Sequence, residues 1–145
     1  MGNHVHLLLR EGKESVSLSM QRICSRFVYW YNWKYDRVGH LFQEWYKSEV
    51  VENDAYLITV LRYIQQNPIK AGITNLVSGY KWSSYHEYIG KQNITDKEFI
   101  YKFFGEEKQI AKKEFEKYMN EVNDDICLDY KEIHRIADDD TVRLA

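Results

Sequence analysis

The stretch Asn3-His4-Val5-His6-Leu7-Leu8-Leu9 decides how the rest of the chain is read. Two histidines bracket a valine and lead into an apolar run, the pattern of a strand buried on at least one face. Side chains alternate across a strand, so a spacing of two places both imidazoles on the same face. A same-face histidine pair is half of a metal site. It is equally a solvated or hydrogen-bonded pair at a strand end, and spacing alone leaves both readings open.

Working outward, residues 12–17 are polar and turn-like. Ser17 or Ser19 can then cap a helix to about Tyr35, with Met20, Ile23, Phe27 and Tyr31 on one apolar stripe. Asp36-Arg37-Val38-Gly39-His40 breaks that pattern, and Trp45 to Val51 reads as a second strand. Asn53 or Asp54 caps the next helix, whose face Leu57, Ile58, Leu61 and Ile64 runs to Asn67, where Pro68 is expected to stop it. Residues 69–80 read as loop or short helix, and Trp82 to Tyr85 begins another short helix to about Ile89. Two further helices are expected over 96–104 and 106–122, the second with Ile110, Phe115, Met119 and Val122 inward. The last residues, with Asp138-Asp139-Asp140, read as a frayed end.

A chain of 145 residues with 44% hydrophobic and 29% charged side chains, one proline and seven glycines is globular, neither collagen-like nor low in complexity. No run nears the roughly 18 apolar residues that span a bilayer, and the start shows no secretory leader, so the chain reads as cytoplasmic. Cys24 and Cys127 fit neither a zinc knuckle nor a disulfide framework and read as buried thiols. Residues 1–82 carry 10 basic against 7 acidic side chains, and residues 83–145 carry 10 against 15. Aromatics reach 15% and crowd the first helix. A mildly basic, aromatic front permits a nucleic-acid surface without establishing one.

Tyr63 and Asn67 lie four apart, so phenol and amide stack on one helical face away from most of the apolar row. Tyr63 is otherwise a half-buried tyrosine and Asn67 a helix end before Pro68. Taken with His4 and His6, with Gly39-His40-Leu41-Phe42-Gln43-Glu44-Trp45-Tyr46-Lys47-Ser48, with Tyr63-Ile64-Gln65-Gln66-Asn67-Pro68-Ile69-Lys70-Ala71-Gly72 and with Tyr80-Lys81-Trp82-Ser83-Ser84-Tyr85, the chain resembles the REP-associated tyrosine transposases and related HUH single-strand DNA transposases of bacterial insertion sequences. The resemblance covers residues 3 to about 90. Each motif is weak singly, and four in order make it specific.

The resemblance implies a nuclease and strand transferase, an endonuclease of DNA transposition and recombination, acting on single-stranded DNA with hairpin-forming ends. His4 and His6 would hold a divalent metal, Mg or Mn, with Asn67 as third protein ligand. Tyr63 would be the nucleophile that forms a 5′ phosphotyrosine link. On this reading Arg22, Arg26, Lys34, Arg37 and Lys47 meet phosphates, while some of Tyr29, Trp30, Trp33 and Tyr35 stack bases at about 1–3 kcal/mol each. Ordinary packing of that aromatic helix against a sheet is the competing account.

The implied fold is α+β: a ferredoxin-like HUH core, a sheet with helices on one face, over residues 1–95, followed by a helical C-terminal extension over 96–145. Relative to the family the chain reads as shortened at its N-terminus, lacking the first strand and helix. An unpaired edge at residues 3–9 then invites strand addition from another chain, hence a homodimer, and a site without its supporting strand is expected to be loosened. The alternative class is a non-catalytic nucleic-acid-binding domain derived from a transposase.

Overall fold

A computed structural model describes residues 4–42, 46–91, 93–125 and 127. Five α-helices run in the order α1 Val16–Lys34, α2 Asp54–Lys70, α3 Tyr85–Ile89, α4 Lys97–Tyr101 and α5 Lys108–Asn120, with a 3-10 turn at Val77–Gly79.

The structure is helical, and among the described residues it has no strand. This overturns the α+β expectation of a ferredoxin-like sheet core. A strand exists only by its ladder of hydrogen bonds to a neighbour. Residues 4–10 and 46–51 make no such ladder among the described residues and stay as single extended segments. Only Leu8 of the first segment packs inward on the core, while Val5, Leu7 and Leu9 are exposed. Asn3 and Trp45, the outer ends of the two expected strands, and the Asp138-Asp139-Asp140 run lie outside the described residues.

The centre of the molecule is α2. Asn53 caps it, its Oδ1 accepting from the Tyr56 N–H at 2.9 Å. Pro68 does not stop the helix, which continues to Lys70. A proline removes one N–H donor, here the bond to the Ile64 carbonyl, and the helix continues past that loss, with Ala71 N–H on Asn67 O at 2.9 Å. Termination falls instead to Gly72, at φ 68°, with Gly72 N–H on Ile69 O and Ile73 N–H on Pro68 O, both 2.9 Å. The face Leu57, Ile58, Leu61 and Ile64 packs inward as expected. So do Val60, Tyr63, Gln65, Gln66 and Pro68, which makes α2 buried nearly all round.

Phe115 of α5 is fully buried inside a ring of aromatics. The centroids of Tyr85, Tyr88, Tyr101 and Phe104 lie 5.1–6.2 Å from its own, joining α3, α4 and α5 over α2. The buried Tyr101 hydroxyl donates to Tyr88 O at 2.6 Å. Met119 and Ala111 complete the α5 face, whereas Ile110 and Val122, expected inward, are exposed.

By contrast, α1 buries only Met20. Its cap is Ser15 rather than Ser17 or Ser19, and Asp36, in the left-handed region at φ 49°, ends it. Ile23 and Phe27 of the expected core stripe are 48% and 44% exposed. No sheet covers this stripe among the described residues; Phe42 lies beside Phe27, their ring centroids 6.1 Å apart, and leaves it partly exposed. A Phe115→Ala substitution is expected to lower unfolding free energy by about 3–5 kcal/mol in urea titration, because the cage around it cannot collapse fully.

Candidate functional site

The extended segment 4–10 crosses α2 and is held there by side chains. Leu8 inserts into both apolar clusters, one centred on Leu61 and Phe115 and the other on Val60 and Tyr63. At its far end Arg10 pairs with Asp96, the N-cap of α4, and its guanidinium stacks 4.7 Å from the Phe99 ring. A segment with no strand partner among the described residues is thus held by side chains, Leu8 and Arg10 among them.

This placement brings His4, His6, Tyr63 and Asn67 together. The His4 and His6 rings lie 5.0 Å apart, edge to face. The His6 ring lies 5.8 Å from that of Tyr63, again edge to face. Asn67 Nδ2 is 3.2 Å from His6 Nε2, one turn after Tyr63. The two imidazoles expected to lie together on a strand are neighbours here on a segment that has no ladder hydrogen bonds among the described residues.

Electrostatics favour a neutral, ligand-competent imidazole. Burial, and after it the neighbouring His4, hold His6 below the ordinary 6.5. Two imidazoles and a side-chain amide are chemically able to ligate a divalent ion, and here the Asn67 amide nitrogen faces His6 Nε2. Among the described residues no group of three or more His, Cys, Asp and Glu comes together, so no carboxylate joins this set. Tyr63 itself is 8% exposed and packs beside Cys127, Val60 and Leu8. The Lys70 ammonium lies 5.4 Å from its ring centroid.

The candidate phosphate-contacting residues are placed elsewhere. Arg22, Arg26 and Lys34 are exposed on α1 and Arg37 follows in its terminal turn, while Lys47 is exposed on the 46–51 segment. Arg22 pairs with Glu14. Lys34 lies over Trp30 at 4.8 Å and Tyr35 at 5.2 Å, and Arg37 over Tyr31 at 5.7 Å. Arg26 lines an open cleft of about 670 Å³ with Ile23, Ser25, Phe27, Tyr29 and Trp30. Cation and ring alternate along this helix, an arrangement suited to backbone phosphates and bases alike. Ser17 Oγ and Tyr46 Oη, 2.9 Å apart, tie α1 to the 46–51 segment.

Sequence reasoning missed the surroundings of Tyr63. Arg62, Gln66 and Lys70 form a row at i, i+4 and i+8, adjacent to the row of Tyr63 and Asn67, and that spacing was the signal available.

Residues 1–67 match the family model described as Transposase IS200 like, a span that contains His4, His6, Tyr63 and Asn67. No curated protein and no solved structure matches the chain. The lowered His6 value has a direct check. A histidine whose folded pKa lies below its unfolded one stabilises the fold above pH 6.5, and that contribution is lost as pH falls through the folded value. NMR titration should show His6 protonating below pH 6.5, and His6→Gln should flatten stability against pH in that window.

Proposed function

We propose, because residues 1–67 match the IS200-like transposase family model, that this transposase-like protein is a single-stranded DNA endonuclease and strand transferase with Tyr63 as its nucleophile. The observation that carries this reading is the convergence of His4, His6, Tyr63 and Asn67 from two segments 57 or more positions apart.

In the proposed reaction the Tyr63 phenolic oxygen attacks the scissile phosphorus. The P–O bond to the 3′ oxygen breaks, leaving a free 3′ hydroxyl and a phosphodiester from tyrosine to the 5′ end. The phenolic proton passes to solvent and the leaving 3′ oxygen takes one up, since a neutral phenol with a pKa near 10 is a poor nucleophile at neutral pH. The reverse attack by a 3′ hydroxyl reseals a strand and returns the proton to Tyr63. Bond energy is kept in the phosphotyrosine, so joining needs no nucleotide cofactor.

His4, His6 and Asn67 would hold the divalent metal, Mg or Mn, which when bound neutralises phosphate charge and orients the phosphoryl group. The protein's own share is orientation. Leu8 and Arg10 fix the histidine segment on α2, and the packed cluster around Tyr63 limits its rotamers. Arg22, Arg26, Lys34, Arg37 and Lys47 are the proposed phosphate contacts, with exposed Tyr29, Trp30 and Trp33 as stacking platforms for a strand bearing hairpin-forming ends. Pairing of a second copy along the segment 4–10, giving a homodimer, remains part of this proposal, because Val5, Leu7 and Leu9 are exposed there.

The test is incubation of the chain with Mn or Mg and a labelled single-stranded oligonucleotide carrying a hairpin, followed by a denaturing gel. A slowly migrating covalent adduct is expected with wild type and none with Tyr63→Phe. His6→Ala should lower its yield by more than the roughly 10–100-fold that loss of an outer metal partner costs. DNA binding without any adduct, across a panel of hairpins, would contradict the catalytic reading and favour a non-catalytic nucleic-acid-binding domain.

A further inference from the structure

The row of α2 next to the site row is fully engaged by the segment that leaves α5. Arg62 grips Asp125 with two parallel bonds, Nε to Oδ2 at 2.7 Å and an Nη to Oδ1 at 3.0 Å. Both side chains are largely shielded, at 12% and 14% exposure. The same guanidinium lies 4.0 Å from the Tyr118 ring centroid and 3.6 Å from Glu121. One turn on, the buried Gln66 amide donates to Met119 O and Glu121 O, each at 2.8 Å, and accepts from Asn123 Nδ2 at 2.8 Å. A further turn on, Lys70 Nζ donates to Asp125 O at 2.7 Å. Asn123 Oδ1 receives the Asp125 N–H at 3.0 Å, which shapes the turn.

Residues 121–125 are therefore strapped along α2 by three side chains at one helical repeat. Just beyond them Cys127, 2% exposed, packs in the same apolar cluster as Tyr63 and Val60. Every strap residue lies outside the span matched to the transposase family.

We propose that Arg62 and Asp125 are positioning residues for Tyr63: their ion pair seats residues 121–125 and Cys127 on α2, so that the Tyr63 ring is packed within the cluster it shares with Cys127 and Val60 and presented in one orientation. The inference rests on the nucleophile reading of Tyr63. Arg62 touches neither the histidines nor a reacting atom, so its effect passes through the strap and Cys127. The bidentate fork is what makes this more than a surface contact. A planar guanidinium on a carboxylate fixes direction as well as distance, and neither partner can leave the pair without stranding a shielded charge.

The test uses the full chain in a Cys24→Ser background, where Cys127 is the one thiol left. Two quantities are read for wild type, Asp125→Ala and Arg62→Lys: native-state alkylation of Cys127 by iodoacetamide, and the single-turnover rate and half-saturating concentration for covalent adduct formation on a hairpin oligonucleotide with Mn. Asp125→Ala should raise Cys127 alkylation at least tenfold with helical ellipticity unchanged. It should lower the single-turnover rate about tenfold with half-saturation unmoved. Arg62→Lys, which keeps the charge and loses the fork, should fall between the two in both readouts. Continued protection of Cys127 in Asp125→Ala would overturn the proposal. So would an exposed Cys127 with an adduct rate that holds or rises, since the strap would then not orient Tyr63. If Asp125→Ala loses its helical signal, the same two readouts on Asp125→Asn decide by the same criteria. Absence of adduct in wild type defeats the nucleophile reading itself, and the proposal with it, while the alkylation arm still reports whether the ion pair seats the strap.

Discussion

Two buried amides in the middle of α2 constrain everything around them. Gln65 is 1% exposed and Gln66 8%, and an amide taken out of water must find all its partners inside the protein. Gln65 finds Ser83 and Ser84 at the start of α3, donating to Ser84 Oγ at 2.8 Å and accepting from Ser83 Oγ. Gln66 finds the carbonyls at the end of α5. Consecutive residues thus point in two directions and fix two different elements on one helix. Since a missing partner would cost about 1–3 kcal/mol for each orphaned group, the packing of α3 and α5 against α2 is directional. The apolar cage around Phe115 supplies area, and the two glutamines supply register.

The site inherits this arrangement. Tyr63 and Asn67 occupy the face of α2 left over once Leu61, Gln65 and Gln66 have turned toward the core and the strap. His4 and His6 arrive on a segment without ladder hydrogen bonds among the described residues, anchored by Leu8 at its middle and by Arg10 on Asp96 and Phe99. The four candidate site residues lie within the family-matched span, and residues 96–125 with Cys127 supply much of the packing around them. Arg10, Arg62 and Gln66 make the polar contacts by which the one part reaches the other.

The parts of this picture that were legible in the sequence are those governed by local spacing. The cap at Asn53, the helix beginning near Asp96 and the short helix at Tyr85 each follow from a pattern within a few positions. The sheet expected from the sequence is contradicted, because the His-Val-His alternation says nothing about whether a neighbour exists to pair with it. The end of α2 was misplaced because Pro68 is costly in a helix interior but tolerable in its last turn, and Gly72 was the better stop signal. The inward role given to Ile23, Phe27, Ile110 and Val122 assumed that each apolar stripe meets a partner. For α1 no described element provides one. Arg62 with Asp125 was invisible for a different reason: 63 positions separate them, and only the fold makes them neighbours.

The central claim is that one tyrosine on α2 forms a covalent bond to DNA. Trypsin cuts after Arg62 and Lys70, so Tyr63 sits alone of its kind in the peptide of residues 63–70. Mass spectrometry of the digested reaction with Mn and a hairpin oligonucleotide, after nuclease trimming, locates the attached nucleotide directly. The account predicts a phosphonucleotide mass on the 63–70 peptide. The same mass on a peptide carrying any other tyrosine, or on none, would contradict it.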